Sequence, residues 1–160
     1  MGLFDWFVAE LACRSCGRRS PADNSTSVQT KLREDARQNC LGVGAALTVT
    51  PESAEDARYT LLSMPTGPEV RILQHWECPF CGDLGQWLEV VVRGDVIAAI
   101  ESIGFDAAAL AGAHYIEDET LLFAATAHPD APPMLVDRAL ALDLLRRHVG
   151  SPPDGPRRDP

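Results

Sequence analysis

The chain has 160 residues, close to the ~150 typical of one domain, and a single globular unit over residues 1–150 is expected. Hydrophobic residues make up 46% and charged residues 23%, enough for a packed core, which excludes intrinsic disorder as the main state. The formal net charge of −9 divides into +1 over residues 1–40 and −10 over residues 41–160, and between Asp83 and Asp130 a single base, Arg93, faces nine acids; such a surface repels phosphate backbones and disfavours nucleic acid as a partner.

The opening stretch LFDWFVAEL is apolar at Leu3, Phe4, Trp6, Phe7, Val8 and Leu11. It reads as a short amphipathic segment, a helix by its pattern, that packs into the core, because it has no Lys or Arg to hold it to anionic lipid. Trp6 stands where a myristoylation signal wants Ser or Thr. No apolar run approaches the ~18 residues that span a bilayer, and no signal peptide is evident, so the expected location is the cytoplasm, with no membrane partner.

A turn-rich loop over residues 17–27 leads to the strand-like VQTKL at 28–32, then a polar stretch to Asn39 and the apolar run CLGVGAALTVT, where Gly42 and Gly44 mark a bulge or close backbone approach. Pro51 to Ala57 reads as a polar turn. The runs RYTLLSM and EVRILQHWEC, joined by Pro65-Thr66-Gly67-Pro68, are expected to pair as a hairpin and deliver Cys78. The clearest β signal is QWLEVVV and VIAAIESI, two alternating runs joined at Arg93-Gly94-Asp95. That RGD triplet is accounted for by the glycine turn, without any receptor.

Phe105 to Ala113 reads as a helical turn or loop, HYIEDETLLFAAT as a last strand, and Glu117-Asp118-Glu119 as a solvated acidic turn. A helix is predicted over Met134–Val149, capped by Asp130 or a neighbour, with Leu135, Ala139, Leu142, Leu145 and Val149 on its buried face. Arg146, Arg147 and His148 complement its dipole. The tail 151–160, with four prolines and little to bury, is expected to be disordered.

The chemistry lies in Cys13-Arg14-Ser15-Cys16-Gly17 and Cys78-Pro79-Phe80-Cys81-Gly82, which repeat C-x-x-C-G and use four of the five cysteines. Two thiolates so spaced on a tight turn point at one tetrahedral metal while the turn's amides donate to sulfur, and the following glycine permits the positive φ that closes the turn. Cys13, Cys16, Cys78 and Cys81 are therefore the expected ligands of one structural zinc ion. Four thiolates close the shell, leaving no open position at which water could be activated, and no Ser/His/Asp order or phosphate-binding loop is present. The expectation is a non-enzymatic protein. His75 reads as a partly buried strand histidine rather than a ligand, Cys40 as a buried small hydrophobe, and His114, His128 and His148 lack ligand spacing.

At the two cysteine motifs the sequence resembles zinc-ribbon proteins, whose rubredoxin-type knuckles have this C-x-x-C-G form. That resemblance implies a structural zinc and a role in transcription, translation or protein interaction. The start MGLFD, the C-x-x-C-G soon after it and Gln29-Thr30-Lys31 are similar to a set of small uncharacterised bacterial and phage proteins, which often carry Gly-Asp where this chain has Val43-Gly44-Ala45.

The expected architecture is α+β, mostly β: an antiparallel sheet pinned by the zinc site and covered by a C-terminal helix. The expected function is that of a cytoplasmic protein-interaction module whose acidic residues 83–130 receive a partner with a basic surface; nothing points to a small-molecule substrate. Two rivals remain open. A nucleic-acid-binding ribbon would use Arg14, Arg18, Arg19 and Lys31. A thiol-disulfide oxidoreductase would use Cys78 as nucleophile and Cys81 as resolver; Cys78-Pro79-Phe80-Cys81 resembles the glutaredoxin tetrapeptide, although Gly82-Asp83-Leu84-Gly85 is a poor helix start.

Overall fold

The computed structural model describes residues 3–35 and 37–150. Along the chain these form β1 (Asp5–Phe7), β2 (Gln29–Thr30), β3 (Cys40–Leu41), α1 (Pro51–Asp56), β4 (Tyr59–Leu61), β5 (Glu69–Trp76), β6 (Gln86–Arg93), β7 (Val96–Ile103), α2 (Ala107–Gly112), β8 (Tyr115–Glu117), α3 (Asp118–Ala125) and α4 (Arg138–Gly150). The strands make a small sheet of order β2-β1-β3 and a large one of order β4-β8-β5-β6-β7. The class is α+β with strands predominant, as expected. Pairing is antiparallel except between β1 and β3 and between β5 and β8.

The hairpin expected around Arg93-Gly94-Asp95 forms as β6 and β7, with Arg93 opposite Val96. Gly94 and Asp95 both take left-handed φ values, +59° and +61°, the two-residue turn whose twist matches that of the strands it joins. The other expected hairpin does not form. Residues Tyr59–Leu61 pair with β8 instead, and β8 lies parallel to β5, with Ile72 opposite Tyr115 and Leu73 opposite Ile116. The reason is burial on both faces: Tyr115 and Ile116 are 3% and 0% exposed, so β8 gains more between two strands than at an edge.

Three segments differ in kind from the sequence reading. The N-terminal segment packs into the core as expected, with Phe7 and Leu11 buried, but as a strand, because β2 and β3 satisfy its backbone on both sides. Pro51–Asp56 is a helical turn, because Thr50 and Ser53 form a reciprocal capping box and proline fits the first position. The expected last strand stops at Glu117, whose carboxylate accepts from the amides of Glu119 and Thr120 at 2.9 and 3.1 Å and so starts α3. The acidic triplet is thus a helix start, and Glu117 is half-buried rather than solvated.

The C-terminal helix begins four residues later than predicted, with the Asp137 carboxylate accepting from the amides of Ala139 and Leu140. Its buried face is Ala141, Leu144 and Leu145; Ala139, expected inside, is exposed, and Leu142 and Val149 are half-buried. The tail 151–160 and Met1-Gly2 lie outside the described residues.

Strand alternation divides the large sheet between two cores. Ile72, Trp76, Leu88, Val90 and Val92 join Phe7, Leu11, Val28 and Leu41 beneath the small sheet, together with Cys13 and Cys78. Leu73 and Ile116 join Leu121, Ala125, Ala141, Leu144 and Leu145 beneath the helices. The result is three layers: small sheet, large sheet, helices. Each fully buried aliphatic side chain contributes about 1.5–3 kcal/mol.

Most polar atoms inside these layers are paired; among the described residues, Asp5 Oδ2 and Thr26 Oγ1 are buried without a hydrogen bond. The Tyr59 hydroxyl lies 2.8 Å from Gln74 Oε1 and 3.0 Å from Thr30 Oγ1, and Gln74 Nε2 donates to the Gln29 carbonyl, which ties the two sheets together. Thr120 Oγ1 donates to Glu117 Oε2 at 2.6 Å, accepts from the His75 amide at 3.0 Å and lies 2.6 Å from His75 Nδ1, which ties α3 to β5.

Leu144→Ala should lower unfolding free energy by about 2–5 kcal/mol in denaturant titration, whereas Leu140→Ala, on the exposed side of α4, should change it by less than about 1 kcal/mol. Burial holds His75 below its ordinary value of 6.5, so the unfolded chain binds the proton more readily there. His75 therefore destabilises the fold as pH falls below about 6.5, and in His75→Gln that component of the pH–stability curve should vanish.

Candidate metal centre

The two C-x-x-C-G segments fold into near-copies of one turn. In the first, the Gly17 amide donates to the Cys13 carbonyl at 3.0 Å and the Cys13 amide to the Arg18 carbonyl at 2.8 Å. In the second, the Gly82 amide donates to the Cys78 carbonyl at 2.9 Å and the Cys78 amide to the Asp83 carbonyl at 3.0 Å. Gly17 and Gly82 sit at φ +75° and +74°, and a Cβ would meet nothing within 4 Å at either. Glycine is thus needed there for conformation and not for space.

Each turn points amides at its sulfurs. Those of Ser15 and Cys16 approach Cys13 Sγ at 3.3 and 3.4 Å, and those of Phe80 and Cys81 donate to Cys78. The amides of Arg18 and Asp83 do the same for Cys16 and Cys81. The turns face each other, with Cys13 Sγ 3.7 Å from Cys81 Sγ and Cys16 Sγ 3.7 Å from Cys78 Sγ. All four sulfurs lie within 4.8 Å of one another. Sulfurs bound at about 2.3 Å to a tetrahedral ion stand about 3.8 Å apart, so the cluster has the dimensions of a four-thiolate metal site.

The electrostatics agree with the geometry. Burial raises the Cys78 thiol, but the amides of Cys81 and Phe80 and the neighbouring thiols outweigh it and bring it down to about 7. At Cys81 the Asp83 amide favours the thiolate, but burial and the three other cysteines prevail and push it up to about 12. Cys16 is raised in the same way, by burial and the thiols of Cys78 and Cys13 against the Arg18 amide. One negative charge is accommodated by the protein alone, and the next is opposed by the first. A cation at the centre removes that opposition and lets every sulfur ionise.

Side chains that sequence reading passed over lock the turns together. Ser15 Oγ donates to Asp83 Oδ2, Gln86 Nε2 donates to the same oxygen at 2.9 Å, and the Arg14 amide donates to Gln86 Oε1 at 2.9 Å. These hydrogen bonds, Ser15's first, with that of the Gly85 amide, hold the Asp83 carboxyl below its ordinary range. On the other side the Arg18 guanidinium lies 5.0 Å above the Phe80 ring. Asp83-Leu84-Gly85 carries an Asx-turn signature in sequence, but nothing local marks Gln86, which acts across more than seventy residues.

The remaining candidates are dispersed. His75 is a half-buried strand histidine, as expected, and is not among the clustered ligands. Cys40, expected inside, is exposed beside Asn39. Arg14, Arg18 and Arg19 are exposed around the first turn, but Lys31 lines a separate cavity with Tyr59 and His75, so the four bases form no common patch there. The element following Cys81 is the strand β6, not the helix that a glutaredoxin-type thiol uses.

No protein-family model, no curated protein and no solved structure matches this chain. The paired turns and the four-cysteine cluster are what it has in common with zinc ribbons; the narrower likeness to proteins beginning MGLFD gains nothing from these comparisons.

Gly17→Ala and Gly82→Ala should each destabilise the protein by about 1–2 kcal/mol, because the left-handed turn strains any other L-residue. Equal losses from both in thermal unfolding would reflect the equivalence of the turns; no loss from either would contradict it.

Proposed function

We propose that the four cysteines hold one structural zinc ion and that the protein acts as a non-enzymatic interaction module. The observation that carries this reading is the four-sulfur cluster: four sulfurs within 4.8 Å of one another, each turn supplying amides to them, with no fifth Cys, His, Asp or Glu in the cluster among the described residues. Borderline-soft zinc suits such a set, and its bonds would join residues 13–17 to residues 78–82, fastening the small sheet's segment to the large sheet. The ion would supply folding free energy rather than a Lewis acid.

A partner with a basic surface is supported by acids that the fold leaves unpaired. Glu89 is matched by Arg71 at 2.7 Å and Asp118 by Arg138 at 3.0 Å, which removes them from the free acidic surface. Asp95 and Glu101 are exposed on β7 and its turn, next to Val96 at 41% exposure, and carry no ion pair among the described residues. The backbone edge beside Val96 is taken by residues 44–47, and we infer that the exposed side chains of Asp95 and Glu101 receive the partner.

Protein purified without a metal-affinity tag should carry about one zinc per chain, colourless and lost alike in Cys13→Ser and Cys78→Ser. Full retention in either variant, or metal-free protein with a reactive Cys78 thiol, would count against the site. Acidification should release the ion as the thiolates take up protons. For the partner, a protein co-purifying with the wild type should be lost from Asp95→Arg/Glu101→Arg; persistence would exclude these side chains.

A further inference from the structure

A second polar site lies away from the cysteines. Between β2, β4, β5 and the start of α3 is a cavity of about 450 Å³, closed below by the Tyr59, Thr30 and Gln74 network. Gln29 and Lys31, from the Gln29-Thr30-Lys31 motif that the metal site does not use, line it together with Ser27, Arg58, His75 and Glu119.

The ring of His75 is set by donor counting. Ionised Glu117 can only accept, so the single proton of the Thr120 hydroxyl goes to it at 2.6 Å. Burial raises the Glu117 carboxyl, but both its oxygens already accept amide hydrogens, so the Thr120 hydroxyl oxygen accepts from His75 Nδ1–H at 2.6 Å and Nε2 is the ring's acceptor. Nε2 has no partner among the described residues and is not among their buried unpartnered atoms, so it faces solvent. Phe123 stacks on the ring at 5.4 Å and fixes its plane.

The cations are also uncommitted. The side chains of Lys31 and Arg58 are exposed and make no hydrogen bond or ion pair among the described residues. The nearby carboxylates of Glu117 and Asp118 are committed, the first to the α3 amides and Thr120, the second to Thr60 at 2.6 Å and Arg138 at 3.0 Å. Asp118 is neutralised by Arg138, whereas Glu117 has only neutral donors, so Glu117 and Glu119 are the carboxylates that oppose the two cations.

The backbone is strained at the same place. Ser27 and Arg58 occupy left-handed φ values of +59° and +64°. Arg58 directly follows the C-cap of α1, its amide donating to the Glu55 carbonyl at 3.0 Å, at the position where helices usually end in glycine. A guanidinium is held at the cavity where glycine would be the more stable choice, and no hydrogen bond or ion pair among the described residues accounts for it.

We propose that this cavity binds a small molecule carrying a compact oxyanion with a hydroxyl donor beside it, a hydrogen phosphate or a hydroxy acid. Lys31 and Arg58 take the oxyanion, and His75 Nε2 accepts from the hydroxyl. The site rests on no property of the cysteine cluster.

The test is titration of the full-length, metal-loaded protein with inorganic phosphate and, separately, glycolate, against chloride at equal ionic strength, read by nitrogen resonances of His75 and Arg58. At least one oxyanion should give saturable shifts at His75 Nε2 and Arg58 Nε that chloride does not, and the arm that saturates identifies the class. Arg58→Gly should weaken that binding about tenfold or more while the melting temperature stays level or rises, and Lys31→Ala should weaken it at unchanged stability. Shifts that stay linear with both oxyanions, or binding unaltered in both variants, would overturn the proposal. So would a fall in melting temperature in Arg58→Gly, which would assign the arginine to the fold.

Discussion

Four sulfur atoms within 4.8 Å of one another are the constraint around which the rest of the molecule is arranged. Two of them, on Cys13 and Cys78, are buried in the same core as Phe7, Trp76 and Leu88, while Cys16 and Cys81 are exposed, so the cluster sits at the edge of the hydrophobic core. Thiols at this spacing share one problem: the first to ionise opposes the next, as the contrast between Cys78 and Cys81 records. Amides directed at sulfur reduce the opposition, and a cation abolishes it. Either turn alone supplies half of a site, and the Ser15, Asp83 and Gln86 bridge holds the halves face to face.

That bridge links the N-terminal segment to the start of β6, and further contacts join the two sheets. The small sheet has strands of only two or three residues, too short to stand by themselves, and is held by burial against β5, β6 and β7 and by the link from Tyr59 to Thr30 and Gln74. The opposite face of the large sheet carries the helices through Leu73 and Ile116. The metal centre and the polar cavity therefore share a scaffold but no residues, and each draws one of its walls from the segment before residue 32.

Legibility in sequence follows the range of the interaction. The β6–β7 hairpin was readable because its signals, alternation and a glycine turn, lie within eighteen residues. The cysteine turns were readable because spacing and the following glycine are local as well. Residues 51–56 and 118–125 were misread because a helix of one or two turns has too little periodicity to register; their capping by Thr50, Ser53 and Glu117 was the better signal. The face of α4 was misassigned by rotation, since Leu142 and Leu144 are equally apolar and only contact with α3 and α2 selects between them.

Alternating runs, glycine turns and the repeated C-x-x-C-G were enough to read a mostly-β α+β fold with two pairs of thiols, because each of these depends on residues near one another in the chain. Whether the pairs meet, that β8 inserts beside β5, and that Lys31, Arg58 and His75 converge on one cavity were decided by folding alone. Such pairings are made between segments about twenty to seventy residues apart, and they are selected by shared burial and by hydrogen-bond partners that no local pattern encodes.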